Sequence, residues 1–250
     1  NLDKKFKFKK IFLNSKVNLV NLVLENNVDL KYFFPELKKI VKFDNNNLDI
    51  KYLKNELKIN GSGDILIQNF KDKIKYKLIK KNDSTNFDLN YDLKKNPFKI
   101  NFFEYEKKNE NIAKIKIQGK IDKNENIYFN KISFRENNNV LVFKNLIVDE
   151  NKKIKKIDSI KVNLINKNLI KNNFKLRQDK KVYTLEGSSF DTSKMLNNIL
   201  NSKDEIKLKN ILSEKNLKIR IDLQKVYLDK KNFLNDLITK IDINNYEITN

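Results

Sequence analysis

The sequence predicts a mainly β protein: a large antiparallel sheet, apolar on one face, with one short helix near residues 192–200. Three observations predict it. Apolar and polar residues alternate with period two along most of the 250 residues, as where Phe87, Leu89, Tyr91 and Leu93 are separated by Asp88, Asn90 and Asp92. Successive strand side chains point to opposite faces, so each such run has one apolar and one polar face. Turn-forming clusters of Asn, Asp and Lys separate the runs at hairpin spacing. A 3.6-residue pattern stands out only after Asp191. One helix covers two or three strands of the more than ten expected, so the apolar face must close on itself or hold something else.

Residues 1–46 are expected to contribute strands around Phe6 and Phe8 and from Val17 to Leu24, then a short helix between Asp29 and Val41 with Pro35 in its first turn. The main β unit is expected over 47–201. Leu48, Ile50 and Tyr52 resume the alternation, and Asn60-Gly61-Ser62-Gly63 between two alternating runs reads as a hairpin, because Asn and Gly tolerate positive φ. Strands follow through Ile74, Tyr76 and Leu78, through Phe98, Ile100 and Phe102, and through Ala113, Ile115 and Ile117. Turns are expected at 81–84, 94–97, 107–111, 122–126, 136–139 and 149–153. Parity slips by one between Phe129 and Ile132, which predicts an extra residue, a bulge, at Asn130 or Lys131. Met195, Leu196, Ile199 and Leu200 mark the helix, with Asp191 as its N-cap. Residues 201–210 read as a connector, and 202–250 as the start of a further β unit through Leu217, Ile219, Ile221 and Leu223. Residues 233–238 fit helix or strand. The chain reads as a piece of a longer polypeptide.

Composition narrows the function. An apolar fraction of 39% excludes disorder. The formal charge of +21 comes from lysine, with only Arg135, Arg177 and Arg220 as arginines. Lysine, asparagine and isoleucine all have AT-rich codons, phosphate binders exploit the arginine fork, and the lysines are spread over outward strand positions, so no nucleic-acid partner is expected. The chain has no Cys, His or Trp, which removes thiol nucleophiles, histidine triads and the usual zinc sites. Asp122-Lys123-Asn124-Glu125-Asn126 begins like a calcium loop but lacks its Gly and its closing Glu. Gly61 and Gly63 are not followed by the residues of a phosphate-binding loop. No enzyme, metal or cofactor is expected. No run of about eighteen apolar residues occurs, hence no transmembrane helix is expected.

The order of motifs carries a resemblance. Gly61-Ser62-Gly63-Asp64-Ile65 opens a series of strand pairs, Gly119 follows, and Tyr183-Thr184-Leu185-Glu186-Gly187-Ser188-Ser189-Phe190-Asp191 runs into a short amphipathic helix. Over roughly residues 30–250 this resembles the AsmA-like bacterial envelope proteins, particularly the YhdP-like branch, in which Gly187, Phe190 and Asp191 would belong to the motif that closes one unit. The resemblance implies that the large curved antiparallel sheet forms an elongated, taco-like β-groove in the periplasm, anchored to the inner membrane of a Gram-negative cell by a segment outside this chain. It would carry phospholipid acyl chains towards the outer membrane. The lining would then be Ile74, Tyr76, Leu78, Phe87, Leu89, Tyr91, Phe98, Ile100, Phe102, Ile115 and Ile117. Two other readings stay open: a structural scaffold or assembly factor for outer-membrane proteins whose sheet edges recruit strands, and a basic nucleic-acid-binding β domain.

Overall fold

Alternation becomes ladder along nearly the whole chain. The computed structural model describes residues 11–27, 29–180, 182–201, 216–245 and 247–249, and the expected strand at Phe6 and Phe8 and most of the 201–210 connector lie outside them. The strands are β1 (Phe12–Glu25), β2 (Ile40–Leu53), β3 (Glu56–Leu66), β4 (Asp72–Lys81), β5 (Ser84–Leu93), β6 (Lys99–Ile100), β7 (Tyr105–Glu106), β8 (Ala113–Ile121) and β9 (Ile127–Glu136). They continue as β10 (Asn139–Val148), β11 (Ile154–Ile165), β12 (Lys171–Asp179), β13 (Val182–Asp191), β14 (Leu217–Tyr227), β15 (Phe233–Asn244) and β16 (Glu247–Ile248). A 3-10 turn, Asn101–Phe103, joins β6 to β7, and the helix α1 (Ser193–Asn201) follows β13. Strand accounts for 68% of the structure, and the sheet is open.

Fourteen strands hydrogen-bond in chain order from β1 to β16, with β6 and β7 set apart as a hairpin. Neighbours are antiparallel except β13 and β14, which run parallel. A parallel pair needs a crossover, and α1 begins it. β14 continues the same sheet: Leu185 lies opposite Ile221 and Gly187 opposite Leu223. Among the described residues no helix is long and apolar enough to cross a membrane.

Register places the apolar sets on one face. Ile74 lies opposite Tyr91, Tyr91 opposite Ile115, Ile115 opposite Phe134, Phe134 opposite Leu141, Leu141 opposite Val162, and Val162 opposite Phe174. This is the inner face. The predicted bulge is present: the β8–β9 ladder slips between Gln118 and Gly119 and leaves Asn130 unpaired. Similar slips occur at Asn45 and Asn46 in β2 and at Ser188 in β13. Gly119 and Gly63 stand opposite their bulges and Gly187 immediately before Ser188 in the bulged strand itself, whereas a further slip, at Lys155 in β11, has no glycine. A Cβ on Gly119 would lie 2.3 Å from the Tyr128 carbonyl oxygen, one on Gly187 2.4 Å from that of Asn173, and one on Gly63 2.7 Å from that of Asn45. A bulge bends and further twists its strand, and at these three positions glycine leaves room for a closely approaching backbone.

That geometry corrects the expected hairpin. Asn60-Gly61-Ser62-Gly63 lies inside β3, and no glycine has positive φ. The β2–β3 turn falls instead at Lys54 and Asn55, with φ of 51° and 62°. Gly61 is small for another reason: the Tyr76 ring lies over it, 2.2 Å from where a Cβ would stand.

Three further expectations are corrected. Between Asp29 and Val41 the chain forms turns rather than a helix, because tertiary partners take its backbone groups. The Lys38 amide donates to the Ile67 carbonyl, and the Phe33 carbonyl accepts from the Lys99 amide. Phe98, Ile100 and Phe102 form no strand of the large sheet. Alternation stops at Ile100, where the 3-10 turn begins, and Glu104 turns the chain back in the left-handed region. The helix starts at Ser193, one residue later than expected, so Thr192 is its N-cap and its carbonyl accepts from the Leu196 amide. Asp191 precedes the cap and accepts from the Ser193 amide at 3.0 Å. Residues 233–238 are strand, paired with β14.

Candidate apolar groove

The inner face is covered at one end of its strands and open at the other. At the covered end, where β5 ends and β8 begins, Leu93, Ala113, Val162 and Leu164 are 0% exposed. On the same face towards the opposite end, Phe87, Leu89, Ile117, Ile132, Phe143, Ile160 and Leu176 are only half-buried. At about 4.8 Å per strand the half-covered face runs roughly 60 Å across the sheet. A hollow of about 560 Å³, lined in part by Val17, Leu48 and Gly61, lies at its β1–β3 side.

The cover is a plug made by residues 94–112 and 29–38. Its aromatic rings fill the covered half. Phe98 stacks on Phe134 with centroids 4.8 Å apart and meets Phe34 edge-on at 5.3 Å, while Tyr105 meets Phe134 at 5.3 Å. Further along, Phe103 packs on Phe174, and Phe174 on Phe190. Such pairs add about 0.5–1.5 kcal/mol each beyond area burial.

Polar clamps hold the plug to the rim. Asp72, 1% exposed, accepts from the Tyr91 hydroxyl and Asn96 Nδ2, both at 2.6 Å, and from the Lys94 amide at 2.8 Å. Asn96 also exchanges hydrogen bonds with both backbone groups of Phe70. Gln68 donates to the Pro97 carbonyl and accepts from the Glu36 amide, tying the two plug segments together. Glu136 accepts from the Tyr105 hydroxyl and from the Lys108 amide. Lys107 spends its ammonium on the Lys94 and Lys108 carbonyls. At the far side Glu104 accepts from Asn168 Nδ2 and pairs with Lys167. Asn166 Nδ2 donates to Asp191, whose amide donates to Asn172 Oδ1.

The expected lining divides accordingly. Ile74, Tyr76, Leu78, Phe87, Leu89, Tyr91, Ile115 and Ile117 share the inner face, as the β4–β5–β8 register requires. Tyr91 is buried beneath Phe34, 6.3 Å between centroids. Phe98 and Ile100 are buried in the plug, and Phe102 is 45% exposed at its tip. Gly187 stands beside the Ser188 bulge in β13, Phe190 packs against Phe174 and the plug's Phe102, and Asp191 belongs to the Asn166–Asn172 clamp. The clamp residues Asp72, Asn96 and Glu136 were missed: Asn96 and Glu136 fall in predicted turns and read as turn formers, and Asp72 has no local pattern that marks it. Among the described residues no cluster of carboxylates suited to a metal occurs, and Asp122 accepts the Asn124 and Asn126 amides as the hinge of its hairpin turn. Comparison of the chain with family models, with characterised proteins and with solved structures gives no match.

The clamps set an alkaline limit on the plug. Burial, with hydrogen bonds to Asp72 and Glu136 respectively, raises the Tyr91 and Tyr105 hydroxyls above the ordinary tyrosine value of 10.0. A raised folded-state pKa contributes stability that is complete below the unfolded value and is lost as pH rises past it. Burial lowers the Lys107 ammonium, which works in the opposite sense and relieves a penalty as pH rises. Replacing both tyrosines with Phe therefore flattens the fall in stability above about pH 10 relative to the native chain. Chemical denaturation from pH 8 to about pH 11 measures it, and parallel curves would refute the assignment.

Proposed function

We propose that the open half of the inner face holds phospholipid acyl chains and passes them along the sheet, as a segment of an envelope-spanning protein of the AsmA-like, YhdP-like kind. The observation that carries this reading is the contrast along single strands: Leu93 is sealed while Leu89 and Phe87 on the same face are left half-open. An acyl chain laid across that band gains about 0.8 kcal/mol per buried methylene. Neighbouring rungs offer similar apolar side chains, so movement from rung to rung needs no chemical step. Headgroups stay in water beyond the open strand ends. On this reading the chain acts in the periplasm, tethered to the inner membrane by a segment outside it, and carries no catalytic group.

The test places a charge in the band. Leu89→Asp lowers binding of a fluorescent fatty acid and the amount of lipid that copurifies, because an unpaired buried carboxylate costs several kcal/mol. Asn90→Asp, on the outer face of the same strand, leaves both unchanged. Equal binding by the two folded variants, or absence of lipid in mass spectra of the native protein, would sink the proposal. A scaffold or assembly factor is the second reading, favoured by the fourteen-residue edge strand β1, whose Phe12 and Val20 are 65% and 72% exposed. A long apolar edge of this kind recruits strands. Strand capture at β1 without lipid binding would support it.

A further inference from the structure

Lysines scattered through the sequence meet across strands on the outer face of β8–β12. Lys114 lies directly opposite Arg135, Lys131 opposite Lys144, and Lys161 opposite Lys175. Like charges facing each other across a ladder are destabilising. Among the described residues none of these six forms an ion pair, although Lys39, Lys51, Lys58, Lys71, Lys73, Lys99, Lys156 and Lys167 elsewhere do. Acids reach the patch only at its borders: Asp92 stands opposite Lys114, and Glu186 opposite Lys175 but bonded by Arg177. Codon bias accounts for the number of lysines and not for their facing one another where Asn or Asp would relieve the repulsion. On β4 and β5 of the same face, Lys73 faces Asp92 and Lys77 faces Asp88.

We infer that this outer patch is a docking surface for an anionic membrane, independent of what the inner face carries. Five adjacent strands span roughly 19 Å, so the three pairs present a dense array of positive charge at the scale of several lipid headgroups. Lysine suits that partner. It is a hydrated point charge on a flexible stem, which follows a fluid surface without the planar, bidentate geometry that nucleic-acid reading draws from arginine. Attraction of this kind grows with each basic residue brought near the surface and is screened by salt.

The experiment is flotation of the full chain with vesicles of phosphatidylcholine alone or mixed with phosphatidylglycerol. The native protein is expected to float with the anionic vesicles at about 0.05 M salt, to be released at about 0.5 M, and to ignore the neutral ones. Changing Lys131, Lys144, Lys161 and Lys175 together to Gln should weaken binding by about tenfold or more. The same four substitutions should raise the melting temperature, since repulsion is removed. Changing Lys38, Lys54, Lys123 and Lys230 to Gln subtracts equal charge from elsewhere and should leave binding intact. Equal weakening by both quadruple variants would overturn the inference in favour of net charge alone. So would unchanged binding or a lowered melting temperature in the patch variant, or binding of duplex DNA in place of vesicles.

Discussion

Gly119→Ala lowers stability by about 3 kcal/mol, at the upper end of what overpacking costs, while Gly61→Ala costs less than about 1 kcal/mol. Both added methyl groups meet a neighbour at almost the same distance, 2.3 Å and 2.2 Å. What they meet differs. At Gly119 it is the Tyr128 carbonyl oxygen, with the Phe129 Cα 3.1 Å away, both fixed in the β8–β9 ladder beside the Asn130 bulge. At Gly61 it is the far end of the half-buried Tyr76 ring, which turns towards the open band. Gly187→Ala should behave like Gly119→Ala, because Asn173 and Phe174 backbone atoms lie 2.4 Å and 2.5 Å from the new methyl. Urea denaturation of the three variants orders them, and a Gly119→Ala protein as stable as Gly61→Ala would show that the bulge relaxes at little cost.

Period-two alternation made the sheet legible, since each strand carries its own facing information. The Asn130 bulge was legible for the same reason: a parity slip inside one strand is a local signal. Isolation of the α1 pattern after Asp191 was likewise enough to place the helix within a residue. The plug was not legible. Phe98, Ile100 and Phe102 have the same spacing as Leu89 and Tyr91, and the Pro97 that interrupts the pattern is equally at home before an ordinary strand. What separates them is tertiary: Asp72, Asn96 and Gln68 take up the backbone groups of 67–71 and 94–97, and Phe134 and Phe34 take the ring of Phe98. The glycines misled because Asn-Gly signals positive φ, whereas here glycine provides space for a neighbouring backbone or ring. Pairing of Lys131 with Lys144 depends on register between strands, which no single run of sequence contains. Ile100, 4% exposed within the plug, consequently reports on plug packing, and Leu89 is the residue that reports on the open band.

Asp72→Ala should release the plug. The substitution leaves the Tyr91 hydroxyl, Asn96 Nδ2 and the Lys94 amide without their shared acceptor, and Asn96 is itself the link to Phe70. Stranding buried donors costs about 1–3 kcal/mol each, and part is recovered as water enters, so a net loss of about 3–5 kcal/mol is expected. The loss is local in kind. The β4–β5 and β5–β8 ladders do not run through Asp72, and the bulges and glycines that shape the sheet lie elsewhere. Freed from its clamp, the 94–112 segment uncovers the sealed half of the inner face around Leu93, Ala113 and Phe134. Binding of an apolar fluorescent dye should therefore rise, and limited proteolysis should cut first between Lys94 and Lys108, while far-ultraviolet circular dichroism keeps its β signal. Tyr91→Phe removes one donor rather than the acceptor of three and should cost only about 1 kcal/mol, with no gain in dye binding. If Asp72→Ala and Tyr91→Phe behaved alike, the carboxylate would not be the clamp, and the aromatic stack of Phe98 on Phe134 would have to hold the plug by itself.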